Sequence, residues 1–148
     1  MKSFKHYILE KLKVTKTTYT LFPKTREELI EMVDAEISKN GNKCSLNHID
    51  VSEITDMRRM FHSSKFNGDI SNWNVSNVTN MESMFYNSLF SGDISNWDVS
   101  NVTDMEGMFY SSDFGGDLSK WDVSNVESMV NMFMFSPLQN NPPKWYKE

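Results

Sequence analysis

The string GDISNWNVSNVTNMESMF, from Gly68 to Phe85, returns with few changes from Gly92 and from Gly116. No other feature restricts the fold as strongly. Trp73, Trp97 and Trp121 stand 24 residues apart, as do Val75, Val99 and Val123, Met84, Met108 and Met132, and Phe85, Phe109 and Phe133. A fixed period between about 20 and 50 residues is the mark of a solenoid or similar array. At 148 residues the chain is one domain's worth. One copy cannot fold alone. Its few apolar side chains bring about 1.5–3 kcal/mol each when buried, against roughly 1.5 kcal/mol of conformational entropy per ordered residue. Neighbouring copies must therefore cover each other's apolar faces.

Within a copy, Ile70, Trp73 and Val75 lie in a β-favouring stretch between Gly68-Asp69 and Ser76-Asn77. Val78, Met81, Met84, Phe85 and Ser88 follow at intervals of 3, 3, 1 and 3, which is helical spacing. The expected unit is a short strand followed by a short helix. Thr79 with Glu82 and Thr103 with Glu106 read as capping boxes for that helix. The expected fold is an α/β repeat: a short solenoid of about four strand–helix coils with an N-terminal helical cap.

Three segments follow. Residues 1–24 form a basic amphipathic leader, with Phe4, Tyr7, Ile8 and Leu12 at helical spacing among lysines. These four are the candidate docking residues. Residues 25–43 form the cap. Thr25 and Glu28 make a capping box, Leu29, Ile30, Val33 and Ile37 an apolar stripe, and Asn40-Gly41 a stop, so a helix is expected at about 26–39. Residues 44–148 hold the repeats. Projecting the period backwards places a degenerate first copy on Leu46, Ile49, Val51 and Met57, and projecting it forwards makes Leu138 and Trp145 a truncated last one. Pro142 and Pro143 suit an edge where pairing stops.

Charge narrows the partners. Residues 1–24 hold six lysines against Glu10, a net +5, while residues 25–148 hold nine Lys and Arg against nineteen acids, a net −10. An acidic body disfavours nucleic acid. Cys44 is the only cysteine, so no internal disulfide forms and packing must hold the repeat. No run of about 18 apolar residues spans a membrane, and the start lacks a secretory h-region. The expectation is a chain without an integral membrane segment, cytoplasmic or virion-associated.

The string GDISNWDVSNVTDMEGMFYSS resembles the bacterial surface-protein repeat of about 26 residues found in BspA-like proteins and mycoplasma lipoproteins, a relative of the leucine-rich repeats. The resemblance covers Leu46 to Trp145 and implies a right-handed, leucine-rich-repeat-like solenoid without a catalytic role, used in adhesion or protein contact. In lacking an export signal or an early lipoprotein cysteine, the chain is more similar to intracellular or phage-encoded members.

The Met and Phe columns read as core. Trp73 and Val75 differ by two and share strand parity, so the Trp column also reads as core rather than as a sugar-binding stack. Parity turns Asn72, Asn74, Asn96, Asp98, Lys120 and Asp122 outward on the strand face, where letters differ between copies. These six are the candidate partner-binding residues. Asp69, Asp93 and Asp117, one carboxylate per copy, are too sparse for calcium and read as turn hydrogen bonds, as does the Asn77, Asn101 and Asn125 column. Cys44 and His48, with no further partner, make no metal or nucleophile site. The expected function is a non-enzymatic protein-interaction module with the leader as docking or sorting element, and no cofactor or metal. The alternatives are a structural component of a phage virion or assembly, and a surface adhesin for protein or glycan. The partner class is another protein, such as a virion or host-surface component.

Overall fold

The computed structural model describes residues 18–147; the leader residues Phe4, Tyr7, Ile8 and Leu12 lie outside them. The described chain contains one α-helix, α1 (Arg26–Asn40). Its start follows the expected signal with one change. Thr25 Oγ1 accepts from the Glu28 N–H at 3.2 Å, but the Glu28 carboxylate accepts from Lys24 N at 2.6 Å instead of from Thr25. Gly41, at φ 87°, ends the helix and donates its N–H to Ile37 O. Leu29 and Val33 are buried in the core shared with the repeats, and the Arg26 guanidinium donates to Arg58 O at 2.7 and 2.9 Å.

The α/β solenoid of strand–helix coils does not form. Among the described residues there is no strand beyond isolated parallel bridges: Leu21 with Ile49, Ser45 with Asp69, and the series Asp56, Asn80, Asp104 and Ser128. No repeat contains a helix. Successive repeats instead lie against one another as chains of turns, joined at a constant offset.

Two features of the turn segment exclude the helix. Met57, Arg59, Phe61 and Ser63 donate their N–H groups to the carbonyls of Asn80, Glu82, Met84 and Tyr86 in the next repeat, at 2.8–2.9 Å. The same ladder runs from Met81, Ser83, Phe85 and Asn87, and again from Met105, Gly107, Phe109 and Ser111. Alternate amides committed to a neighbour cannot close helical bonds to residue i−4. Between them the chain makes i→i−3 turns, such as Met60 N to Met57 O and Met84 N to Met81 O. Two positions per repeat are left-handed: Arg59, Ser83, Gly107 and Asn131 form one column, and Ser63, Asn87, Ser111 and Phe135 the other, with φ of 50–58°.

Spacing between repeats explains why turns prevail. Phe85 and Phe109 ring centroids are 5.5 Å apart, Phe90 and Phe114 6.2 Å, and Tyr86 and Tyr110 4.7 Å. Packed helices need 8–10 Å between axes, whereas hydrogen-bonded extended chains need about 4.8 Å. With repeats this close, a helix per repeat would not fit. The expected capping boxes serve other ends: Thr79 Oγ1 donates to Thr55 O, Thr103 Oγ1 to Thr79 O, and the Glu82 N–H donates to Asn80 Oδ1.

The core consists of two zipped aromatic columns, Phe61–Phe85–Phe109–Phe133 and Phe66–Phe90–Phe114, flanked by the methionines, Val75, Val78 and their equivalents. Phe85 meets Phe90 at 4.6 Å and Phe109 meets Phe114 at 4.5 Å. Glycine is required two residues beyond each second-column ring: a Cβ on Gly68, Gly92 or Gly116 would come within 2.7–2.8 Å of Phe66, Phe90 or Phe114. At the far end Leu138, Trp145 and Tyr146 pack on part of the last full repeat.

Candidate functional site

Trp73, Trp97 and Trp121 are each 4% exposed. Each indole Nε1–H donates to a main-chain carbonyl 27 residues earlier: Trp73 to Leu46 O, Trp97 to Ile70 O, Trp121 to Ile94 O, and the half-buried Trp145 to Leu118 O, at 2.8–3.1 Å. The column stitches repeats together and offers no open stack of faces for a sugar. Met57, Met81, Met84, Met105, Met108 and Met132 are buried with the phenylalanines, while Met60 and Met129 are partly covered.

The structure places all six sequence-selected surface residues outward, but it divides them. Asn74, Asp98 and Asp122 are turn builders: their Oδ1 atoms accept from the N–H groups of Ser76, Ser100 and Ser124 at 3.0–3.1 Å. The side chains of Asn72, Asn96 and Lys120 make no hydrogen bond among the described residues, and they stand in one column, one per repeat. Asn72 is anchored only through its main-chain N–H, which donates to Asn47 Oδ1.

The aspartate column behaves as turn chemistry requires. Asp69, Asp93 and Asp117 accept from the N–H groups of Ser71, Ser95 and Ser119 at 2.8–2.9 Å. First the serine hydroxyl and then its amide hold the Asp93 and Asp117 carboxyls below their ordinary values. The Asn77 column does something different from local turn-making: the side-chain amides of Asn77, Asn101 and Asn125 donate to Ser52 O, Ser76 O and Ser100 O in the preceding repeat at 2.6–2.7 Å.

Cys44 and His48 both approach Glu36 of α1. His48 Nε2 is 3.2 Å from Glu36 Oε2, and burial, followed by the Glu36 charge, pushes the Cys44 thiol up. A nucleophilic cysteine needs the opposite shift. This trio ties the first repeat to the cap.

Two surface features escape a reading based on core columns. The first is an aromatic ribbon on the turn side. His62 stacks on Tyr86 at 4.8 Å, Tyr86 on Tyr110 at 4.7 Å, and Phe135 meets Tyr110 edge-on at 5.3 Å. His62, Tyr86 and Tyr110 are half-buried and Phe135 is 61% exposed. Their spacing of 24 was legible, but it was masked by the His at the first position and by the shift of the last ring to the next residue.

The second feature is the end of the amide ladder. Met129, Asn131 and Phe133 occupy the donor positions of the last full repeat, and their N–H groups have no hydrogen-bond acceptor among the described residues. Phe135, the next in the series, is closed by Gln139 Oε1 at 2.7 Å. A groove of about 510 Å³ runs along this edge between Glu127–Asn131 on one side and Tyr146 and Lys147 on the other. Val130, Met134 and Phe135 stand exposed beside it.

No helix of the described residues is long and apolar enough to cross a membrane. No curated protein and no solved structure matches the chain. A family model does match, over residues 28–145, from within α1 through every repeat to Trp145. The chain belongs to the family described as Mycoplasma protein of unknown function, DUF285.

Proposed function

We propose that the chain is a non-enzymatic protein-interaction module, with residues 1–24 as its docking element. The observation that carries this reading is the ribbon of His62, Tyr86, Tyr110 and Phe135, continuous across repeats and open to solvent along one side. Tyrosine-rich surfaces supply rigid, amphipathic contact area at little cost in side-chain entropy. Asn72, Asn96 and Lys120 add an exposed polar column in which lysine replaces asparagine at the third position. The likeness of GDISNWDVSNVTDMEGMFYSS to BspA-like surface repeats supports the same class of activity, and a virion or host-surface protein is the class of partner that fits.

The test is quantitative capture from the native host or virion. The natural chain is compared with Tyr86→Ser/Tyr110→Ser and with Asn72→Ala/Asn96→Ala/Lys120→Ala, each checked for native melting. Loss of one specific partner in the tyrosine variant is the expected result. Identical capture by all three proteins would remove the proposal.

A further inference from the structure

We infer that the open ladder edge at Met129, Asn131 and Phe133 is a docking site for a segment of another protein that supplies main-chain carbonyl oxygens at alternate residues, as one further turn segment of the stack would. The direction of the ladder specifies this ligand. Rows of peptide groups run through the repeats with every N–H aimed toward the last one, as from Arg59 to Glu82 O, Ser83 to Glu106 O and Gly107 to Val130 O. Chained hydrogen bonds polarise one another, and each row needs an acceptor at its donor end. The row that ends at Phe135 has one in Gln139 Oε1. The rows that end at Met129, Asn131 and Phe133 have none among the described residues, and the carbonyls of these three residues are taken within the turns by Met132, Met134 and Ser136. The edge therefore offers donors alone. An ordinary β-strand presents N–H and C=O groups together along its edge and would set donors against it, whereas a row of carbonyls satisfies it.

The side chains at this edge change in the same sense. Val130 stands in the column of Arg58, Glu82 and Glu106, and Phe135 in that of Ser63, Asn87 and Ser111, so both positions are polar in three repeats and apolar in the last. Val130 is 58% exposed, Phe135 61% and Met134 39%. Charge disappears as well. From Ser128 to Tyr146 the one charged residue is Lys144, whereas the same stretch one repeat earlier, 104–122, carries Asp104, Glu106, Asp113, Asp117, Lys120 and Asp122. Few charges beside exposed aromatic and methionine side chains are the composition of an interface core. The groove between this edge and Tyr146 and Lys147 gives the segment room. A second copy does not fit. End to end at this edge donors would meet donors, and the carbonyl edge of a second copy is closed at Arg58 O by the Arg26 guanidinium. The occupant is an apolar segment of a different protein.

This inference rests on main-chain groups and not on the stacked rings of the tyrosine ribbon, so either can fail alone. The probe is a synthetic, end-blocked peptide of residues 102–112, whose Asp104, Glu106, Met108 and Tyr110 carbonyls accept the preceding row inside the stack. It is added at up to millimolar concentration to the dilute full chain, natural and Val130→Glu, with the amides followed by NMR. In the natural chain the Met129, Asn131 and Phe133 amides should shift downfield to saturation and exchange at least about tenfold more slowly with peptide than without. Val130→Glu, which restores the letter of Glu82 and Glu106, should bind at least about tenfold more weakly. Met105, Gly107 and Phe109, which occupy the same ladder one repeat earlier, should be unchanged and so report an intact fold. No saturable shift at the three edge amides overturns the inference, as does an equal response to a scrambled peptide of the same composition. Shifts that grow with protein concentration in the absence of peptide overturn it too, by assigning the edge to a second copy.

Discussion

The indole Nε1–H of Trp97 donates to the main-chain oxygen of Ile70 at 3.1 Å, crossing from one repeat to the one before it inside the core. Equivalent bonds hold Trp73, Trp121 and Trp145. The residue that marks the repeat in the sequence is also the side chain that fastens adjacent copies.

Replacing this donor should therefore weaken the stack. Trp97→Phe keeps most of the apolar contact but leaves the Ile70 carbonyl without its partner, at a cost of about 1–3 kcal/mol. Urea unfolding should show the loss as a lower midpoint with an unchanged slope. An unchanged midpoint would mean that the bond contributes nothing net.

Gly92→Ala should destabilise by about 1–3 kcal/mol, because overpacking displaces neighbours that have nowhere to go. The new Cβ would lie 2.8 Å from the Phe90 ring and 3.2 Å from Gly68 O. Gly115→Ala is the control, since there the nearest atom is the Pro137 Cβ at 3.1 Å. The two melting temperatures measured side by side decide it; equal values would refute the ring-contact explanation.

Ser83→Gly should stabilise the protein. Ser83 sits at φ 52°, in the column where the next repeat has Gly107 at 58°. Relief of left-handed strain, worth roughly 1–2 kcal/mol, exceeds the flexibility that glycine adds to the unfolded chain, about 0.5–1 kcal/mol. Gly107→Ser should move the midpoint the opposite way. Denaturant titration of both variants checks the sign.

Acid should act through the aspartate turns. Serine hydroxyls and amides depress Asp69, Asp93, Asp98, Asp117 and Asp122. A carboxyl depressed in the folded state contributes stability that is complete above its unfolded value, about 3.9 for Asp, and that disappears as pH falls through the folded value. Stability should be level above about pH 5 and fall below about pH 4. In Ser95→Ala, the Asp93 carboxyl followed by carbon-13 NMR should titrate closer to its ordinary value. No movement would rule out the hydroxyl as the main cause.

The spacing of apolar letters was enough to name the inward residues. Val78, Met81, Met84, Phe85 and Ser88 are all buried, as their 3, 3, 1, 3 pattern requires. The cap was equally legible, because Thr25, the Leu29–Val33 stripe and Gly41 are local signals for a helix that needs no neighbour to complete its bonds. What spacing left undecided was the backbone that carries the inward residues. A helix and a chain of i→i−3 turns can bury the same letters, and only the distance between repeats chooses. At the 4.7–6.2 Å seen between equivalent rings, alternate amides find acceptors next door and the helix is excluded.

The candidate site divides along the same line. Exposure of Asn72, Asn74, Asn96, Asp98, Lys120 and Asp122 followed from the sequence. That Asn74, Asp98 and Asp122 are occupied in turns, that His62, Tyr86, Tyr110 and Phe135 make a ribbon, and that three amides have no acceptor among the described residues are consequences of how repeats stack. The sequence by itself determined the period, the buried columns and the cap, since each rests on local spacing or local bonds. The tertiary structure alone decided the turn ladder and the edge it leaves open, because both depend on hydrogen bonds to a neighbouring repeat.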